Sequence, residues 1–201
     1  MKKYLPDYGF LFLVAGIVIA LDQWTKWLVE TRLPNPGEFW SPWSWLMPYA
    51  RIVHWTNTGA AFGIFQNFGD VFMVLAILVS LAILFYFPQV PRGEWPLRLA
   101  MGLQMGGAVG NLIDRLTQGH VTDFISVLGF AVFNVADASI SIGVAVLVVG
   151  VWYRERASKK ALADSGSAAP LSAESDGSSE SAATISPKPA PRPAAEESQV
   201  E

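Results

Sequence analysis

Cysteine is absent from the 201 residues. That removes disulfides, thiolate metal sites and a cysteine nucleophile. Histidine is nearly absent: His54 and His120 are the only two, too few for a histidine-rich metal site. No Lys/Arg cluster tracks a phosphate backbone and the net charge is −3, so nothing supports nucleic-acid binding. Charge of either sign is scarce, at 15% of residues against 52% hydrophobic. The acidity sits mainly in residues 161–201, where Lys188 and Arg192 face seven anions among Ala, Ser and Pro. That stretch has too little apolar surface to offset its ordering entropy and reads as a disordered cytoplasmic tail. Its removal leaves residues 1–160 far more apolar than the average, in long runs that an ordinary cytosolic enzyme does not carry.

Four such runs are present: residues 8–29, 71–87, 97–116 and 136–153. Each approaches the ~20 residues of a bilayer-crossing helix. A cleaved leader is the competing reading of the first run. Gln23-Trp24 offers no small-residue cleavage site, and three more spans follow. Lys2, Lys3, Arg92, Arg98, Arg154, Arg156, Lys159 and Lys160 cluster at one set of span ends. The opposite loops carry only Arg32 and Arg51, both in the first of them, and residues 117–135 carry neither Lys nor Arg. The positive-inside rule then places both termini in the cytoplasm and both long loops on the outer side of the membrane. Trp24, Trp27, Trp40, Trp43, Trp45 and Trp55 fall at that outer level as an interfacial belt. Gly102, Gly106 and Gly110 recur every four residues, a small-residue stripe for close helix approach.

The polar residues converge on one plane. Asp22 lies roughly 21 Å along its helix from Tyr8, and Asp114 roughly 24 Å from Arg98, at 1.5 Å per residue. Against a hydrocarbon core of about 30 Å, these acids and Asp123 and Asp137 collect near the outer surface. Asn57, Asn111, Arg115 and Asn134 reach the same level. Intramembrane charges are costly and usually functional. Asp22 and Lys26 are spaced for a helical ion pair, which self-neutralisation alone would explain. Asn111 and Arg115 share a face that suits a polar ligand. Asp137, three residues after Asn134, fits a helix-cap carboxylate. Asp123, flanked by Val, Phe and Ile, has no evident partner, and a lone acid there is expensive unless used. Two neighbouring acids can share one proton, the ionised one activating water and the protonated one donating to the attacked carbonyl. The dipole of the fourth span favours charge on Asp137, so Asp123 is expected to hold the proton. No metal or cofactor is needed.

Five blocks now stand in order: Asp22-Gln23-Trp24-Thr25-Lys26, Asn57-Thr58-Gly59-Ala60-Ala61-Phe62, Gly106 through Arg115, Val121-Thr122-Asp123-Phe124 and Phe133-Asn134-Val135-Ala136-Asp137. Together, over about residues 8–153, they resemble the bacterial lipoprotein signal peptidase (signal peptidase II) family. The resemblance implies an all-α membrane protein of four transmembrane helices with a small extracytoplasmic β-containing cradle, an intramembrane aspartic endopeptidase. It implies cleavage of diacylglyceryl-modified prolipoproteins by Asp123 and Asp137. Asn57 and Arg115 would contact substrate, Asn111 and Asn134 would line the site, and Asp22, Lys26 and Asp114 would support it. The aromatic module at about residues 31–70 would cradle substrate, with β-like composition at 51–56. Membrane lipid and globomycin-type inhibitors are the other expected partners, and a monomer is expected. The absence of cysteine agrees with a chain that is not itself a lipoprotein. Residues 123–137 are short, so closure of the site by a long insertion there is not expected. Two other classes compete. A small proton-coupled transporter would hold its carboxylate near the midplane of an internal repeat, which is not seen. A non-enzymatic scaffold would tolerate Asn at both Asp123 and Asp137.

Overall fold

The computed structural model describes residues 5–59 and 68–166 of the chain. Four helices and three short strands follow in the order α1 (Leu5–Arg32), β1 (Phe39–Trp40), β2 (Ala50–Asn57), α2 (Gly69–Tyr86), α3 (Trp95–Gln118), β3 (Val121–Val127) and α4 (Val135–Gly166). Of these, 8–32, 69–89 and 135–159 are long and apolar enough to cross a membrane. α4 continues six residues beyond the boundary expected for the tail, and the rest of that tail lies outside the described residues. So do Ala60, Ala61 and Phe62 of the second block.

The packing is inverted relative to a water-soluble domain. Phe12, Leu13, Ile17, Val74, Leu78, Leu81, Phe85 and Val148 are exposed, while Asp22, Lys26, Asp114, Thr122, Asp123 and Asn134 are at most 2% exposed. Apolar surface turned outward and polar groups turned inward is what hydrocarbon solvent selects. A smaller apolar core holds Leu11, Ala15, Ile83, Phe87 and Met105 together where α1, α2 and α3 meet.

The run at residues 97–116 forms α3, which differs in character from the other three helices. It carries Arg98, Asn111, Asp114 and Arg115 and packs against α1, α2 and α4 alike. Its glycines make that central position sterically possible. A Cβ on Gly106 would stand 2.7 Å from Val18 Cβ and 2.9 Å from the Ala15 carbonyl oxygen. One on Gly110 would stand 2.8 Å from Asp22 Oδ2. The stripe is therefore a packing seam against α1, and its last member abuts the polar cluster. Gly106→Ala is expected to cost about 1–3 kcal/mol through overpacking against backbone. Gly16→Ala, with open space around it, should leave thermal unfolding in detergent unchanged.

α3 stops at Gly119, whose φ of +77° closes the helix while its N–H donates to the Arg115 carbonyl at 3.1 Å. A left-handed residue there favours glycine. The chain then enters β3, the edge of an antiparallel sheet ordered β1-β2-β3. Asn57 pairs with Val121 and Trp55 with Asp123, with an irregularity between Ile52 and Trp55. The extended stretch 51–56 expected from composition is thus the body of β2. After β3, Leu128 (φ +50°) and Gly129 (φ +73°) turn the chain. Phe133 then pairs back onto Ile125 before α4 begins.

Candidate active site

Strand geometry sorts the start of β3 into two faces. Val121 and Asp123 look into a cavity of about 820 Å³, and Asn57, Asn111, Arg115 and Asp137 also reach it. Phe72, Leu75 and Val79 of α2 and Ile140 and Ile142 of α4 extend the lining as an apolar wall. Phe130, Ala131, Val132 and Phe133 add another side. The short segment between Asp123 and Asp137 therefore does wall the site, although no long insertion was expected there.

Asn134 is the hub of the polar end. It is fully buried, and its Nδ2 donates to Asp123 Oδ1 at 2.7 Å and to Asn111 Oδ1 at 3.1 Å. Its Oδ1 accepts the Asp137 backbone N–H at 2.9 Å, and Asp137 Oδ2 accepts the Asn134 N–H at 3.2 Å. This reciprocal pair is a capping box at the start of α4. The helix-cap reading of Asp137 thus describes one of its oxygens. The other, Oδ1, accepts from Asn111 Nδ2 at 2.7 Å and belongs to a cavity-lining residue.

Asp123 is not unpartnered, as the sequence suggested. Asn57 Nδ2 donates to its Oδ2 at 3.0 Å, opposite the Asn134 contact. Both donors sit on other elements, so nothing in the Val-Thr-Asp-Phe stretch announces them. Burial, with the Asp137 charge adding to it, pushes the Asp123 carboxyl up to about 7; the Asn57 and Asn134 amides and the Lys26 charge act against that rise.

Lys26 also makes more contacts than its sequence spacing predicts. Its ammonium contacts Asp22 Oδ2 at 2.7 Å, Asp114 Oδ2 at 2.7 Å and Asn111 Oδ1 at 3.0 Å. Three donors meet three acceptors, so the ammonium is saturated. Pairing with Asp22 alone is therefore too narrow a description: one cation serves two acids from different helices. The second negative charge is met by neutral donors. Ala136 N–H reaches Asp22 Oδ1 at 2.9 Å, Gln23 Nε2 reaches Asp114 Oδ1 at 2.7 Å, and Thr122 N–H reaches Asp114 Oδ2 at 3.3 Å. Because Asn111 turns its oxygen to Lys26, its nitrogen is left to face Asp137. The buried triad thus orients a group that touches the cavity acid. Gln23 and Thr122 lie inside two of the five blocks but were given no role there, and Glu30 lies outside all five.

Arg115 borders the same space. Its guanidinium donates to the Gly59 carbonyl at 3.2 Å and more weakly to the Asn111 carbonyl at 3.4 Å, and lies 5.3 Å from the centre of the Phe72 ring. Its buried Nε has no partner among the described residues. Asn57 uses its Oδ1 to accept the Gly59 N–H at 2.9 Å. Of the nine residues expected at the site, Asn57, Asn111, Arg115, Asp123 and Asp137 border the cavity, while Asn134, Asp22, Lys26 and Asp114 lie outside its lining and join it through hydrogen bonds and ion pairs. No group of three or more metal-ligating side chains occurs among the described residues.

Comparison with known proteins fixes the family. Residues 14–153 match the family model described as signal peptidase (SPase) II. The chain belongs to the signal peptidase II family. A lipoprotein signal peptidase of Mesorhizobium japonicum is 41% identical over 169 residues, covering 80% of this chain and 95% of that protein. One from Shouchella clausii is 38% identical over 156 residues, covering 74% and 97%. A bacterial membrane enzyme solved at 2.3 Å resolution superposes with a TM-score of 0.66 at 30% identity, covering 72% of this chain and 88% of that one. This is a membrane-protein family of proteases, in keeping with the apolar helices. The transporter alternative finds no support in these relatives.

Proposed function

We propose that the chain is an intramembrane aspartic endopeptidase that removes signal peptides from diacylglyceryl-modified prolipoproteins, with Asp123 and Asp137 as its catalytic pair. Family membership supports cleavage of lipoprotein signal peptides. The observation that carries the aspartic mechanism is the placement of two carboxylates from different elements on one cavity, one of them pushed up to about 7 by burial and by the other's charge. In this reading α3 is the fourth span, both termini face the cytoplasm, and the cavity opens near the outer surface, where the signal peptide ends. The apolar wall of α2 and α4 receives substrate hydrocarbon. The site needs no cofactor.

The reaction follows from the two protonation states. Asp137, at the N-terminal turn of α4, is the base: it takes a proton from water as the water oxygen attacks the scissile carbonyl carbon. Asp123, protonated, donates to the carbonyl oxygen, and a gem-diol forms. Asp137 then passes its proton to the amide nitrogen as the C–N bond breaks. Asp123 recovers a proton as the diol becomes a carboxyl group. Arg115 and Asn57 hold substrate backbone beside the pair. Globomycin-type peptides would occupy the same cavity.

The test is cleavage by purified protein of a diacylglyceryl-modified prolipoprotein and its unmodified counterpart, with products read by mass spectrometry. A single cut before the lipidated cysteine, absent from the unmodified substrate, is expected. Equal cleavage of both, or none by folded protein, overturns the reading. Because the acid must be protonated, kcat/KM should fall as pH rises through about 7. A flat profile from pH 6 to 9 would remove Asp123 from the acid role.

A further inference from the structure

Thr122 precedes Asp123 and faces the other way. It is fully buried, and each of its polar groups is held by a different element. Its N–H donates to Asp114 of α3 at 3.3 Å, and its carbonyl accepts Asn134 Nδ2 from the α4 cap at 3.4 Å. Its hydroxyl donates to Glu30 Oε1 of α1 at 2.7 Å. Asp114 and Asn134 belong to the network already described. Glu30 does not: it lies outside the five sequence blocks and touches neither the cavity nor Lys26. Glu30 Oε1 also accepts from Gln118 Nε2 at 3.3 Å. The shorter of the two bonds thus holds a strand residue one position before the buried acid. Asp123 in turn is held between donors at 2.7 and 3.0 Å, which leaves little slack for β3 to shift.

We propose that Glu30 and Thr122 form a positioning pair that ties the start of β3 to α1 and so sets where the Asp123 carboxyl stands against Asn134, Asn57 and Asp137. The inference rests on the assignment of Asp123 to the catalytic pair. Neither residue touches the reacting atoms; both act through the strand. Small displacements of a reacting group cost large factors in rate.

The test is a double-mutant cycle on full-length protein, with rates normalised to folded enzyme. Thr122→Val keeps the shape and loses the hydroxyl. It is expected to lower kcat about tenfold with KM unchanged within about twofold. The alkaline limb of its pH profile should move as Asp123 shifts against Asp137 and against the Asn57 and Asn134 amides. The charged or titratable groups facing Asp123, namely Asp137 of α4, Arg115 of α3 and Lys26 of α1, are untouched by the change. Thr122→Ser should restore wild-type kcat. Glu30→Met should reproduce Thr122→Val, and the double variant should cost no more than either single one. Fully additive losses, or wild-type kcat and pH profile in both single variants, overturn the inference. Asp123→Asn is run alongside. If it cleaves, the catalytic pair itself is wrong. If it is silent while Glu30→Met and Thr122→Val behave as wild type, only the positioning pair falls.

Discussion

Lys26→Met should destabilise the protein by about 3–5 kcal/mol, the cost of breaking a buried ion pair by removing one partner. Asp22 and Asp114 are at most 2% exposed and would lose their only cationic contact among the described residues. Asn111 would lose one of the two donors that orient its amide. That loss is a large share of the ~5–15 kcal/mol that holds a typical fold together. Thermal unfolding in detergent should show it as a large drop in Tm, with little active enzyme recovered. Adding Asp114→Asn to Lys26→Met removes one orphaned charge and should recover part of the loss. A Tm unchanged by Lys26→Met would mean that the triad is not held as described.

Asp123→Asn should abolish activity without a uniform loss of stability. Its effect on stability should also change sign with pH. The folded-state value near 7 lies above the ordinary carboxyl value of 3.8. Below about pH 4 both folded and unfolded chains carry the proton, so the group is neutral in the balance. As pH rises toward 7 the unfolded chain sheds its proton first, and the folded state loses relative stability. Above 7 the loss is complete, at most about 4 kcal/mol for a shift of this size. Asparagine escapes that penalty but turns its N–H₂ group toward one of the two amide donors, Asn57 or Asn134. Such a mismatch costs about 1–3 kcal/mol. Wild type should therefore be the more stable near pH 4, and Asp123→Asn the more stable near pH 8. A Tm difference constant across that range would contradict the buried, protonated Asp123.

Much of this architecture is legible in the sequence because a bilayer constrains it so tightly. Runs of apolar residues gave the helices, and the glycine stripe gave the seam of α3. Counting 1.5 Å per residue put Asp22 and Asp114 toward the same end of their helices, where the start of the fourth run also put Asp123 and Asp137, and the structure joins these side chains in one polar network. The partners were harder to read. Asp123 is satisfied by Asn57, 66 positions away, and Lys26 by Asp114, 88 positions away on another helix; local spacing carries no trace of either. The turn at Leu128 was also out of reach, since a leucine at positive φ breaks the usual preference. Its consequence, a cavity wall built from so short a segment, depends on Phe133 pairing back onto Ile125. α3 shows the opposite limit. Its composition is too polar for a simple span, and its place among α1, α2 and α4 explains how its charges are buried.

The central claim is that Asp123 and Asp137 together cleave the substrate. The most direct measurement is kcat/KM of wild type, Asp123→Asn and Asp137→Asn on the same diacylglyceryl-modified prolipoprotein, with each protein shown to be folded at the assay pH. Loss of a positioned acid or base costs 10²–10⁴-fold, so each variant should fall by about 1,000-fold or more. Either variant cleaving within tenfold of wild type while folded would take that aspartate out of the reaction and contradict the account.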